Sequence, residues 1–183
     1  MTATTLDPKT ALVVIDLQKG IVGLPTAHPA DDIVAKSATL AEAFRAKGLP
    51  VVLVRVTGGA PGRVDGSPSS QKPAADWADI VAEVGWREGD IVVTKQQWGA
   101  FYGTDLDLQL RRNGVTQVVL TGIATSIGVE STARGAHEHG YNVTVVTDAV
   151  TDMDAEAHRN SIEKIFPRLG ETDTTEAIVK LLG

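Results

Sequence analysis

Five short apolar runs punctuate the chain, and each is nearly continuous rather than alternating with polar residues. Ala11-Leu12-Val13-Val14-Ile15 and Val51-Val52-Leu53-Val54-Arg55-Val56 come first. Ile91-Val92-Val93, Val118-Val119-Leu120 and Val143-Thr144-Val145-Val146 follow. β-Branched runs of this kind belong to strands covered on both faces, as in a parallel sheet. Helical patterns fill the intervals. Val34, Ala38, Ala41 and Phe44 fall on one side of a helix closed by Gly48. Trp77, Ile80, Val81 and Val84 recur at helical spacing and predict a second helix. Thr104 and Asp105 can cap a third, which carries Leu106 and Leu110 and ends at Asn113-Gly114. Residues 127–138 read as a fourth, stopped by Gly140. Asp173 stands three residues before Glu176, a capping-box spacing ahead of Ile178, Leu181 and Leu182. A short edge strand is expected around residues 169–172.

Alternating strands and helices, joined by right-handed crossovers, imply an α/β fold: three α/β/α layers around a mostly parallel, Rossmann-like sheet. A chain of 183 residues without linker or repeat reads as a single domain, residues 1–183. Residues 57–73 are rich in turn formers and poor in apolar residues, so they predict a long loop after the second strand. Such a loop is either a functional lid or a disordered connection, and its length alone does not separate the two.

Composition narrows the chemistry. The net charge is −6 and no run of Lys and Arg occurs, which argues against a nucleic-acid partner. No apolar stretch approaches the roughly 18 residues of a membrane span. The N-terminal residues lack the basic start and apolar core of a signal peptide, so a cytoplasmic location is expected. The chain has no cysteine, which removes disulfides, thiolate zinc sites and thiolate catalysis together. No Gly-x-Gly-x-x-Gly follows the first strand and no P-loop occurs, so no nucleotide cofactor is expected.

Ligands of open parallel sheets bind beyond the carboxyl ends of the strands. Asp16 follows the first strand and Lys95 the third. A charge in such a place needs a partner or solvent, and the two can form a structural ion pair or a functional one. After the fourth strand, the chain passes through small residues into a helical pattern. That turn presents backbone N–H groups at the sheet edge, where enzymes commonly hold a nucleophile. The residue presented there is Gly128. Ser126, Ser131 and Thr132 lie nearby, but no His is placed to deprotonate them, and they read as helix caps. His137 and His139 point to different sides of a helix, so they read as surface residues. His28 reads as a loop residue and His158 as helical surface or a subunit contact.

In this order, three segments resemble the isochorismatase-like superfamily, often called cysteine hydrolases, which includes nicotinamidases, carbamoylsarcosine amidases and isochorismatases. They are Ala11-Leu12-Val13-Val14-Ile15-Asp16-Leu17-Gln18, the stretch from Thr94-Lys95-Gln96-Gln97-Trp98 to Leu106, and Gly122-Ile123-Ala124-Thr125-Ser126-Ile127-Gly128-Val129-Glu130-Ser131. The resemblance runs on through Asp148-Ala149. Amidases of the superfamily use an Asp, a Lys and a Cys. Asp16 and Lys95 match the first two positions, and Gly128 stands at the third. The resemblance further implies a cis peptide at Ile123–Ala124 and an oxyanion hole built from the N–H groups of Ala124 and Gly128.

True isochorismatases also resemble this chain in having Gly at that turn; they hydrolyse a vinyl ether, with the Asp as the acid. The resemblance therefore implies a hydrolase of a small organic molecule with Asp16, Lys95 and Gly128 at its centre. The alternative is a ligand-binding member that has lost catalysis. Gln18, Ile123, Ala124, Trp98 and Phe101 are the candidate substrate contacts, although the aromatic residues could equally cover the sheet end. Zinc-dependent nicotinamidases carry Asp-x-His after the second strand; residues 57–73 contain no His, so no metal is expected. A homo-oligomer, dimer or tetramer, is implied as well. Burial of Asp16 favours its protonated form and Lys95 opposes it, a competition that the sequence leaves open.

Overall fold

Residues 2–66 and 73–183 are described by a computed structural model. The first apolar run becomes β1 (Thr10–Ile15), buried at every position. It lies in the middle of a six-stranded sheet with β2 (Val51–Val56), β3 (Ile91–Lys95), β4 (Gln117–Ile123), β5 (Asn142–Thr151) and β6 (Glu171–Asp173). The strand order is β3-β2-β1-β4-β5-β6, and every neighbouring pair is parallel. The order reverses at β1, which opens a crevice at the carboxyl ends of β1 and β4.

Strands buried on both faces need cover on both, and the helices supply it. On one side α3 (Leu106–Arg112) and α4 (Glu130–Glu138) press Leu106, Leu110, Ala133 and Ala136 against Val13, Ile15 and Leu120. On the other, α2 (Ala30–Ala46) and α7 (Thr175–Leu182) press Leu40, Phe44 and Ile178 against Leu12, Val14 and Val119. The short helices α1 (Lys19–Val22), α5 (Ala155–Asn160) and α6 (Phe166–Leu169) complete the set. Three layers result, as the sequence pattern implies. No helix of the described residues is long and apolar enough to cross a membrane.

Three local expectations are corrected. Residues 77–84 do not form the helix that their spacing predicts; only Ala82–Val84 make a 3-10 turn. Their backbone groups go instead to the chain after β1. Lys19 N–H donates to Asp79 O, Gly20 N–H to Trp77 O and Val81 N–H to Leu17 O, at 2.9–3.0 Å. Val81 and Val84 still bury, so the apolar positions find a core without a helix. The cap of α7 is Thr174, whose hydroxyl accepts from Ala177 N–H, whereas Asp173 accepts from Thr174 N–H. The edge strand starts two residues later than expected, at Glu171. Residues 57–66 form neither helix nor strand, and the rest of the expected loop, residues 67–72, lies outside the described residues.

Candidate active site

The site begins with a close approach of two strands. Gly122 of β4 pairs with Ile15 of β1 and has φ of +119°, a region in which a side chain is strained. A Cβ there would stand 2.0 Å from the Ile15 carbonyl oxygen. Only glycine lets β4 lie this tightly against the end of β1.

Asp16 is the next residue, immediately past the end of β1. Its φ of +52° is uncommon for a residue with a side chain, and such strain concentrates at functional positions. Its N–H donates to Val54 O at 2.9 Å, which anchors the kinked backbone to β2. Lys95 closes β3 and is buried. Its Nζ donates to Asp16 Oδ2 and to Trp98 O, both at 2.7 Å. Asp16 Oδ1 is buried and has no hydrogen-bond partner among the described residues. Burial pushes the Asp16 carboxyl up to about 6, against the pull of the Lys95 ammonium. Desolvation wins the competition that the sequence left open.

Gly128 meets this pair from the third direction. A Cβ built on it would lie 3.0 Å from Ile15 Cγ2, 3.1 Å from Asp16 Oδ2 and 3.5 Å from Lys95 Nζ. Asp16, Lys95 and Gly128 therefore converge, as expected. They open on a cavity of about 220 Å³ that Ile123, Ala124 and Trp98 also line. Larger hollows exist, one of about 540 Å³ beside Arg45 and Asp90. That one sits at the opposite, amino-terminal ends of β2 and β3, away from Asp16 and Lys95. The Ile123–Ala124 peptide is cis.

Two of the expected contacts fall elsewhere. Gln18 spends its side-chain amide on backbone, donating to Val56 O and Trp77 O and accepting from Val56 N–H. It braces the cavity wall and is absent from the cavity lining. Phe101 is buried against α4, its ring stacked on His139 at 4.8 Å and close to Tyr141. Gly135 makes room for it, since a Cβ there would come within 3.0 Å of the ring. Tyr102 is 84% exposed. Of the three aromatics after Lys95, only Trp98 lines the cavity.

Several site residues escaped the sequence reading. Trp77, Ile127 and Met153 line the cavity, and Trp77 belongs to the stretch read as a helix face. Asp152 is buried and accepts from Ser126 N–H at 2.7 Å and from the Ser126 hydroxyl at 2.8 Å. It thus holds the π-helical turn Thr125–Val129 that carries Gly128. The neighbouring Thr125 hydroxyl is hydrogen-bonded to His158 Nδ1 at 2.8 Å. The His158 ring packs on His28 at 4.8 Å, and burial, with help from His28, pushes its pKa down. No periodicity marks Asp152 or His158, because both act through contacts distant in the chain.

A parallel sheet whose carboxyl edge gathers a strained acid, a buried ammonium and a bare helical turn defines an isochorismatase-like hydrolase fold. The family model for the isochorismatase domain matches residues 10–177. The chain is 47% identical to the isochorismatase family protein YecD of Escherichia coli O157:H7, over 94% of this chain and 96% of that one. It is 45% identical to the isochorismatase family protein YwoC of Bacillus subtilis, over 94% and 93%. An isochorismatase family protein from Burkholderia thailandensis superimposes with a TM-score of 0.94, at 48% identity and 97% coverage of both chains. The chain belongs to the isochorismatase family and, having no cysteine, to its Cys-less branch.

Proposed function

We propose that this protein hydrolyses a small organic molecule without a nucleophile of its own, using Asp16 as the acid. The observation that carries the reading is Asp16 Oδ1: buried, without a hydrogen-bond partner among the described residues, beside the cavity, on a carboxyl whose pKa stands at about 6. A group of that pKa is half protonated at pH 6 and still roughly a tenth protonated at pH 7, close to what general acid catalysis asks for. Lys95 occupies Oδ2, which leaves Oδ1 to carry the proton.

Vinyl-ether hydrolysis suits such a site. The Oδ1 proton moves to the terminal vinyl carbon, and the C=C electron pair forms the new C–H bond. The resulting oxocarbenium ion lies beside the carboxylate that Asp16 has become, which stabilises it. Water adds to the cationic carbon and returns a proton to Asp16. The hemiketal then expels the alcohol and leaves a carbonyl. One water is consumed, and the protein ends as it began. Gly128 keeps side-chain atoms out of the space beside Asp16 and Lys95 where an amidase would hold its thiol.

The test is turnover of isochorismate and of a panel of simpler vinyl ethers and amides, beside Asp16→Asn. Turnover that is lost in Asp16→Asn is the expected result. Turnover that survives the change removes the acid role from Asp16. No turnover of any compound by the wild-type protein supports the other reading, a member of the family that binds a small ligand without converting it. The family likeness also supports a homo-oligomer, which light scattering on the purified protein checks directly.

A further inference from the structure

We propose that Trp77 sets the substrate class of this cavity and selects molecules with a flat, unsaturated face. The inference adds a substrate class to the hydrolase reading above. Its physical basis is the seat of the indole. Residues 76–81 run back along residues 17–20, immediately after Asp16, and Gln18 and Ile80 form an antiparallel bridge. Trp77 O is held twice, by Gly20 N–H at 3.0 Å and by Gln18 Nε2 at 3.2 Å. Lys19 Nζ adds ion pairs to Asp76 at 3.0 Å and to Asp79 at 3.4 Å on the outer side. The backbone of Trp77 is thereby fixed from both flanks.

Its ring is fixed as well. A Cβ on Gly20 would stand 2.0 Å from both Cδ1 and Nε1 of Trp77 and 2.4 Å from Cγ. The pyrrole ring therefore rests directly on the Gly20 backbone, in the volume that any side chain there would fill. With the Gly20 side of the ring closed, Trp77 lines the cavity, and Trp98 lines it as well. The Lys95 bond to Trp98 O holds the main chain of that second tryptophan.

A ligand ring gains from an aromatic wall in either stacked or edge-on geometry, and a saturated ring of the same size does not gain in that way. The cavity of about 220 Å³ is smaller than the roughly 300–1,000 Å³ of drug-sized sites, which favours a single small ring or a conjugated chain.

Calorimetric titration with benzamide and with its saturated counterpart cyclohexanecarboxamide tests the inference. The wild-type protein is expected to bind benzamide about 3- to 10-fold more tightly than cyclohexanecarboxamide. Trp77→Ala should abolish that preference and Trp77→Phe should keep most of it. Gly20→Ala must displace the indole, so it should weaken benzamide binding in the wild-type background. Placed on Trp77→Ala it should change nothing further. Equal binding of the two amides, binding of neither, a preference that persists in Trp77→Ala, or a Gly20→Ala effect independent of Trp77 would each overturn the inference. The two proposals fail separately. A Trp77-dependent preference without Asp16-dependent turnover sinks only the hydrolase reading, and turnover without the preference sinks only this one.

Discussion

Lys95 Nζ lies 2.7 Å from Asp16 Oδ2, while Oδ1 of the same carboxyl group has no hydrogen-bond partner among the described residues. The two oxygens of one side chain thus have different work. A buried ion pair alone is weak ground for a functional claim, because such pairs also occur as structural links. The unpaired oxygen changes the balance: a buried acceptor without a partner costs about 1–3 kcal/mol, and a merely structural pair would satisfy it.

Activity should depend on the protonated form of Asp16. With its carboxyl raised to about 6, kcat/KM is expected to be highest below that pH and to fall tenfold per pH unit above it. A rise through pH 6 instead would make Asp16 a base. The sign for stability is the same. Between the ordinary 3.8 and about 6 the folded protein binds the extra proton. The stabilisation from Asp16 is therefore complete below 3.8 and lost as pH rises through about 6.

Removing the ammonium should move that limb. In Lys95→Met the carboxyl keeps its burial and loses the cation that lowers its pKa. The fall in activity is expected to shift upward by roughly one to three pH units. The variant should fold below the new midpoint, since a protonated Asp16 leaves no unpaired charge behind. A profile that stays in place would show that Lys95 does not act on Asp16.

At Gly128 even one methyl group is crowded. Gly128→Ala puts a Cβ 3.0–3.1 Å from Ile15 Cγ2 and Asp16 Oδ2, so the acid must shift. Stability should drop by about 1–3 kcal/mol, as for other overpacked sites. The kcat/KM is expected to drop about tenfold or more, because small misplacements of reacting groups are expensive. Gly128→Cys should carry a thiol beside Lys95 that iodoacetamide alkylates faster at pH 7 than it does free cysteine. Ordinary, slow alkylation would contradict that placement.

Asp152 is the brace of the turn. Asp152→Ala strands the N–H and hydroxyl of Ser126, and a stability loss of about 2 kcal/mol is expected in urea denaturation. Asp152→Asn keeps an acceptor and should lose less. Equal losses would mean that the charge, not the hydrogen bonding, holds the turn.

Gly122→Ala tests the strand approach beneath the site. The new methyl group would stand 2.0 Å from Ile15 O, in a backbone conformation that alanine resists. A loss of about 4 kcal/mol or more is expected, seen as a collapse of soluble yield or of the melting transition. A well-folded Gly122→Ala protein would show that β1 and β4 can separate without harm.

Much of this could be read from the chain. The five apolar runs each became a strand: burial on both faces writes this β-branched signature into the inner strands, and β3 carries it at the sheet edge although Val92 there is 41% exposed. Asp16, Lys95 and Gly128 were legible because Asp16 follows the end of β1, Lys95 closes β3 and Gly128 sits in the turn that β4 leads into. The helix expected over residues 77–84 was not, since Val81 and Val84 could bury from an extended strap as well as from a helix. Phe101 followed Lys95 in sequence yet turned toward α4, where Gly135 leaves it space that local pattern does not encode. Asp152 and Ser126 lie 26 residues apart, and no spacing announces such a contact.

The separation of Asp16 and Lys95 by 79 positions has a consequence for biosynthesis. A nascent polypeptide that has delivered β1 and β2 but not β3 holds an acid with nothing to neutralise it. Gly128 is later still. On the proposed reading, the site can be complete only once about two-thirds of the chain has left the ribosome and its register is set, so the turnover assay proposed above would double as a readout of completed assembly.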